Sequence, residues 1–169
     1  MKVTLYRIFL ILLVVTSLTF ITYNSLQNAT KSQAVSNGIS QGIVEIVVPN
    51  YGNLPEEEKE ETVKKFAVTL RDVAHFMEFA VLAFFLALFF YTVRFNYGRY
   101  TVAIAIVILF CFAYAIFDEW MQTFVDGRGT QWQDIWFDSL GAIVGVIGAM
   151  FVDWIGVKIT YFRKLKKTT

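Results

Sequence analysis

Residues 71–93 read RDVAHFMEFAVLAFFLALFFYTV. Beyond Glu78 the stretch carries no charge, and a helix of about twenty such apolar residues is what a bilayer crossing requires. Its head is of a different character. Arg71, His75 and Glu78 follow at steps of four and three, which keeps them on one helical face. Hydrocarbon is an expensive solvent for charge, so ionisable residues at such a boundary need partners and are functional candidates.

Three more stretches of the same kind lie on either side of it. The expected spans are residues 5–25, 73–93, 100–117 and 135–157, with residues 26–72 as the longest connection. They account for a hydrophobic content of 56% in only 169 residues, and a soluble domain would interrupt its elements with polar faces more often. The expected fold class is therefore an all-α integral membrane protein, one domain over residues 1–169. Lys2 and Arg7 ahead of the first run also suit a cleaved signal peptide. That run is longer than the usual signal core, and no clean small-x-small site follows, so a retained anchor is expected. The single Cys111 falls mid-span and reads as a small packing residue. Asn28-Ala29-Thr30 matches a glycosylation triplet common by chance and carries no weight.

Charge asymmetry predicts the orientation. Nine of the fifteen basic residues fall on one side: Lys2, Arg7, Arg94, Arg99, Lys158, Arg163, Lys164, Lys166 and Lys167. The positive-inside rule makes that side cytoplasmic and both termini with it. In the outer connection, residues 27–41 are polar, and residues 39–48 turn apolar without a clear period, suiting either an interfacial segment or a cap on the bundle. Pro49, Gly52, Asn53 and Pro55 mark a turn. From Glu56 the spacing predicts an extracytoplasmic amphipathic helix lying on the bundle or membrane, through Val63, Phe66, Ala67, Leu70 and Ala74. Its leading glutamates read as a solvated helix start that suits the helix dipole.

With this topology three polar clusters share the outer level: Arg71, His75 and Glu78; Asp118, Glu119 and Gln122; Asp134 and Asp138, with Arg128 in the loop between the last two. Helix rise puts Glu78 about 22 Å from the inner boundary, several ångströms beneath the outer edge of a core of roughly 30 Å, and Asp138 at similar depth. Gly141, Gly145, Gly148 and Ala149 extend the Asp134/Asp138 face as a small-residue stripe, which lets helix backbones approach closely. The clusters are thus expected to meet in one outward-opening polar pocket. A salt-bridge network that only fixes the bundle is the plain alternative. The acidic members outnumber the nearby bases, however, and unpaired buried carboxylates attract cations or protons.

Two chemistries follow. His75, Glu78 and the flanking carboxylates suit a hard divalent cation with oxygen ligands. One His and no second His or Cys speak against a zinc site, and no metal ligand is assigned. Alternatively His75 works as acid or base while Arg71 or Arg128 grips an anionic headgroup. The catalytic candidates are His75, Glu78, Asp118 and Glu119. Gly127-Arg128-Gly129 reads as a turn. Trp120, Trp132, Trp136 and Phe124 outside, with Tyr91, Tyr97, Tyr100 and Tyr161 inside, suit interfacial belts, and Phe124 and Trp132 are alternative pocket-mouth residues.

The ordered set Arg71-x-x-x-His75-x-x-Glu78-Phe79-x-x-Leu82, Asp118-Glu119-x-x-Gln122-x-Phe124-x-x-x-Arg128 and Asp134-x-x-x-Asp138-x-x-Gly141 resembles the VanZ-like family of bacterial membrane proteins. Tyr23-Asn24-Ser25-Leu26-Gln27 is similar to the polar stretch that follows the family's first span. The resemblance covers nearly the whole chain. It departs at Asp72, where a basic residue is common, and at Asp126-Gly127, where Pro-Gly is commoner. It implies a multi-pass protein of the bacterial cell envelope, and the namesake is linked to resistance to the glycopeptide teicoplanin. It supplies no settled activity.

Three functions are therefore in view. The first is an outer-leaflet pocket for the headgroup of a cell-wall lipid intermediate or a lipoglycopeptide antibiotic. The second is a membrane enzyme that modifies such a lipid through His75 and the carboxylates. The third is a non-catalytic structural or assembly protein. The expected partners are membrane lipids, a lipid-linked precursor or the antibiotic, and no nucleic acid. Cofactor and oligomeric state are left open.

Overall fold

The computed structural model describes residues 2–93 and 98–168. Arg94 and Tyr97, used above for orientation and the inner belt, lie outside the described residues, as do the side chains of Lys2, Arg99 and residues 160–169. The chain is five helices with no strand among the described residues: α1 (Lys2–Ser25), α2 (Ala29–Val47), α3 (Glu56–Tyr91), α4 (Arg99–Gln122) and α5 (Trp132–Thr168). Four of them, all but α2, are long and apolar enough to cross a membrane.

The connection expected over residues 26–72 holds two helical segments. Its first half is α2, a helix of 19 residues. The polar composition hid it, because Ser and Asn are indifferent helix formers and its buried side is partly polar. Ser40 and Val44 are buried, whereas Val35, Ile39, Ile43 and Ile46 form an exposed apolar stripe. Its second half is not a separate surface helix: residues 56–91 form one continuous helix of 36 residues. At 1.5 Å per residue that is about 54 Å, so well over a third of α3 extends past a hydrocarbon core of roughly 30 Å. The Glu56-rich start is solvated, as its spacing suggested. Lys59–Glu56 at 2.8 Å and Lys65–Glu61 at 2.7 Å are local surface pairs of the i,i+3 and i,i+4 kind.

Helices α3 and α5 make the most extensive contact of the bundle and run parallel. A Cβ on Gly141 would collide with the backbone carbonyl of Phe76, and one on Gly145 with that of Ala80. One turn on, Gly148 faces the Phe84 ring at ordinary contact distance. The glycine stripe therefore brings two backbones together, as the small-residue pattern predicted. Buried Ala83, Ala87, Ala103, Ala115, Ala142 and Ala149 carry the same economy through the core, and Cys111 packs among them. Helix α1 runs antiparallel to α3. Arg7 near its start donates to the hydroxyl of Thr92 at 3.0 Å and to the Thr92 carbonyl. Near its end Thr22 and the Tyr114 hydroxyl share a hydrogen bond of 2.7 Å. Tyr91 is buried against Tyr100, so it belongs to the core and not to an interfacial belt.

Gly141→Ala and Gly145→Ala should each lower stability by about 1–3 kcal/mol, the usual cost of overpacking. Gly38→Ala in α2, with nothing within 4 Å of the added carbon, should be neutral or slightly stabilising. Thermal unfolding of the purified chain in detergent reads the difference, and equal melting temperatures for all three would contradict the close α3–α5 approach.

Candidate functional site

The parallel α3–α5 contact decides where the polar clusters go. Phe76 lies beside Gly141, so His75 on α3 is carried toward Asp138, three residues before that glycine on α5. His75 Nδ1 and Asp138 Oδ1 are 3.8 Å apart, an ion pair only when the imidazole is protonated and too long for a hydrogen bond. The end of α1 supplies two residues that charge patterning did not single out. Asn24 Nδ2 donates to Glu78 Oε1 at 2.7 Å, and Ser25 Oγ donates to Asp118 Oδ2 at 2.6 Å. Gln122, one turn after Asp118, donates to the same oxygen at 3.1 Å. Glu119 accepts from the Gln131 backbone N–H at 2.7 Å, which fastens the α4–α5 loop over the site.

That loop aims Arg128. The Arg128 N–H bonds to the Val125 carbonyl at 3.1 Å, and Gly127 has φ 77°. This is a tight turn whose third residue occupies the left-handed region, where glycine bears no steric penalty. The turn read from Gly127-Arg128-Gly129 is thus present, and Asp126 in place of proline does not prevent it. From it the guanidinium reaches across the bundle. Nη1 donates to the Ser25 carbonyl at 3.1 Å and Nη2 to Ser32 Oγ at 3.0 Å, tying the end of α1 to the start of α2. The Ser and Asn residues after the first span were the available signal for Asn24, Ser25 and Ser32. Only the tertiary fold gives them their partners.

Arg71 and Arg128 line two cavities separated by α2. The larger, about 710 Å³, also has Asn24, His75 and Glu78 in its wall, together with apolar Tyr23, Ile39 and Leu70. The smaller, about 270 Å³, adds Lys64, Gln122 and Gln131. Ser32 and Ser36 of α2 belong to both. Asp118, Glu119, Asp134 and Asp138 line neither and are buried behind them, each at most 4% exposed. The nine expected residues therefore gather at one end of the bundle in two layers, one facing the cavities and one behind. Phe124 and Trp132 are exposed and line neither of these two cavities.

Electrostatically this end is incomplete. Among the described residues neither Arg71 nor Arg128 forms an ion pair with a carboxylate. Burial, and then the neighbouring Arg71 charge, lower the pKa of Arg128, while Asp118, Glu119 and Asp134 act the other way. A guanidinium stays charged under such pressure, so two like charges face one another across the site. Buried atoms without a hydrogen-bond partner cluster here: Arg71 Nε, His75 Nδ1, Glu78 Oε2, Asp118 Oδ1, Glu119 Oε1 and both Asp138 carboxylate oxygens. Native interiors satisfy most such groups with protein or ordered water, so this end is where polar partners outside the chain are called for. Among the described residues no group of three or more His, Cys, Asp or Glu is arranged to hold a metal ion.

A bundle of long apolar helices with a charged, partly unsatisfied chamber at one end defines a multi-pass membrane protein with a candidate polar site. The chain belongs to the VanZ/LLP1 family, whose model matches residues 7–153. No curated protein and no solved structure matches it.

Gly127→Ala should destabilise by about 1 kcal/mol through its left-handed backbone. Because it also re-aims Arg128, amide exchange at the start of α2, which the Arg128–Ser32 bond holds, should be faster in the Gly127→Ala chain than in its parent. Unchanged exchange and an unchanged melting temperature would mean that the turn does not position Arg128.

Proposed function

We propose that this chain binds the polar headgroup of a membrane amphiphile in the larger cavity, with Arg71 and Arg128 engaging its anionic group. The carrying observation is that both guanidiniums line one cavity, partly buried, and neither is paired with a carboxylate. Two converging cations that form no direct ion pair with the carboxylates nearby suit an anion delivered from outside, to which guanidinium forks bind bidentately. The apolar residues in the same wall suit the less polar part of such a molecule. The charge asymmetry of the chain supports an extracytoplasmic opening, hence an outer-leaflet ligand such as a lipid-linked cell-wall intermediate or a lipoglycopeptide. Family membership supports a contribution to teicoplanin resistance as the biological outcome.

The observation favouring an enzyme is the approach of His75 to Asp138, with Glu78 in the same wall as His75. In that reading the imidazole, with Asp138 beside it, moves a proton at a bound headgroup. A structural role for the cluster rests on the bonds that tie Arg128, Asn24 and Ser25 to neighbouring helices.

Arg71→Gln separates these readings. For a binder, retention of co-purified anionic amphiphiles should fall roughly tenfold, the scale of one charge-assisted contact, while the melting temperature holds or rises as like-charge repulsion is relieved. Loss of folding without any bound amphiphile in the parent protein would favour the structural role. A headgroup product formed by the parent and absent with His75→Gln would favour the enzyme. In a susceptible bacterium, expression of the parent should raise the teicoplanin concentration needed to stop growth and Arg71→Gln should not. No change with the parent would reject the resistance role.

A further inference from the structure

The larger cavity presents more than a pair of cations. Glu78 lies in the same wall as Arg71 and Arg128, and its two oxygens are used differently. Oε1 accepts from Asn24, while Oε2 is buried without a partner. His75, 6% exposed, also lines this cavity, and its Nδ1 makes no hydrogen bond. A simple anion seated on the guanidiniums would leave the carboxylate unanswered. A ligand with a cationic donor beyond its anionic group would answer both.

Resting on the headgroup reading, we propose that the cavity selects an acyl-chain amphiphile whose phosphate ester also carries a primary ammonium group. The phosphate lies against Arg71 and Arg128, and the ammonium pairs with the Glu78 carboxylate. Seven residues separate Arg71 from Glu78 on one face of α3, about 10 Å along the axis before the side chains lean toward each other. The opposite charges are thus offered by one rigid helix at different heights of one chamber. A volume of about 710 Å³ falls within the usual range for small-molecule sites and admits a headgroup with its backbone. Tyr23, Val35, Ile39 and Leu70 provide the apolar part of the wall. The exposed side of Ile39 continues into the α2 stripe, a surface suited to acyl chains. Glu78 supplies specificity in the sense that a buried acceptor left unanswered penalises ligands lacking the donor.

The full chain, purified in neutral detergent, is titrated with four probes while bound lipid is read by native mass spectrometry and stability by thermal shift. The probes are phosphatidylethanolamine, its N-acetyl derivative, phosphatidylglycerol and soluble phosphoethanolamine. Phosphatidylethanolamine should bind about tenfold or more tightly than the N-acetyl derivative or phosphatidylglycerol, the scale of one charge-assisted hydrogen bond. Soluble phosphoethanolamine should compete only weakly. Glu78→Gln should abolish the preference yet keep the N-acetyl lipid, whereas Arg71→Gln should weaken all three lipids. Equal binding of phosphatidylethanolamine and its N-acetyl derivative to the parent overturns the proposal, even if Glu78→Gln fails to fold. A preference that survives Glu78→Gln overturns it too. Soluble phosphoethanolamine binding as tightly as the lipid removes the acyl chain from recognition. Binding of none of the lipids rejects the headgroup reading itself, whereas uniform binding rejects only the selection for an amine.

Discussion

The close backbone approach of α3 to α5 at Gly141 and Gly145 is the constraint on which the rest of this bundle depends. Between spans that are apolar all round, the hydrophobic effect provides no preference for one face over another, and packing must choose the partner surface. Here the choice is steric. Only a residue without a Cβ tolerates the Phe76 and Ala80 carbonyls at this range. Because Gly141 follows Asp138 by one turn and Phe76 follows His75 directly, the same contact puts His75 and Asp138 in reach of one another. Helix packing and site geometry are therefore one event.

The polar end is built at a cost. A buried donor or acceptor that neither protein nor water satisfies costs about 1–3 kcal/mol, and several that the protein leaves unpaired gather at this end of the bundle. Part of that is offset by bonds that join elements: Asn24 to Glu78, Ser25 to Asp118, and Arg128 to both α1 and α2. Those bonds use one side of each carboxylate and leave the other free. The guanidiniums lie near these carboxylates without pairing directly with them, a local conflict of the kind that functional sites also carry.

Much of this was legible in the chain before any coordinates. Apolar run length gave the spans, because hydrocarbon thickness sets a minimum and few other folds satisfy it. Steps of three and four residues placed Arg71, His75 and Glu78 on one face, and the glycine stripe predicted which face of α5 is packed. Helix α2 escaped because its pattern is inverted relative to a soluble amphipathic helix: Ser40 faces inward and Ile39 outward, and the run between residues 27 and 41 reads as a polar linker. The continuity of α3 escaped for a related reason, since a helix that emerges from hydrocarbon into water changes composition without a break in its backbone. Asn24, Ser25 and Ser32 were uninformative alone, as neutral polar residues acquire meaning only from the charged partner that long-range packing delivers.

The inversion of α2 connects the fold to the proposed chemistry. A helix whose apolar stripe is exposed and whose polar side closes a charged chamber is unfavourable in bulk water and in bulk lipid alike. It is content only where the two meet. Its N-terminal half is tied to the bundle by the Ser32–Arg128 bond, and the same guanidinium lines both cavities that flank it. An anion engaging Arg128 would therefore compete with, or reinforce, the bond that positions α2. Ligand and helix would draw on one cation in the headgroup reading, so occupancy of the chamber and placement of its wall would be thermodynamically linked. On the headgroup reading, α2 is the element through which the membrane surface and the buried charges of α3, α4 and α5 communicate.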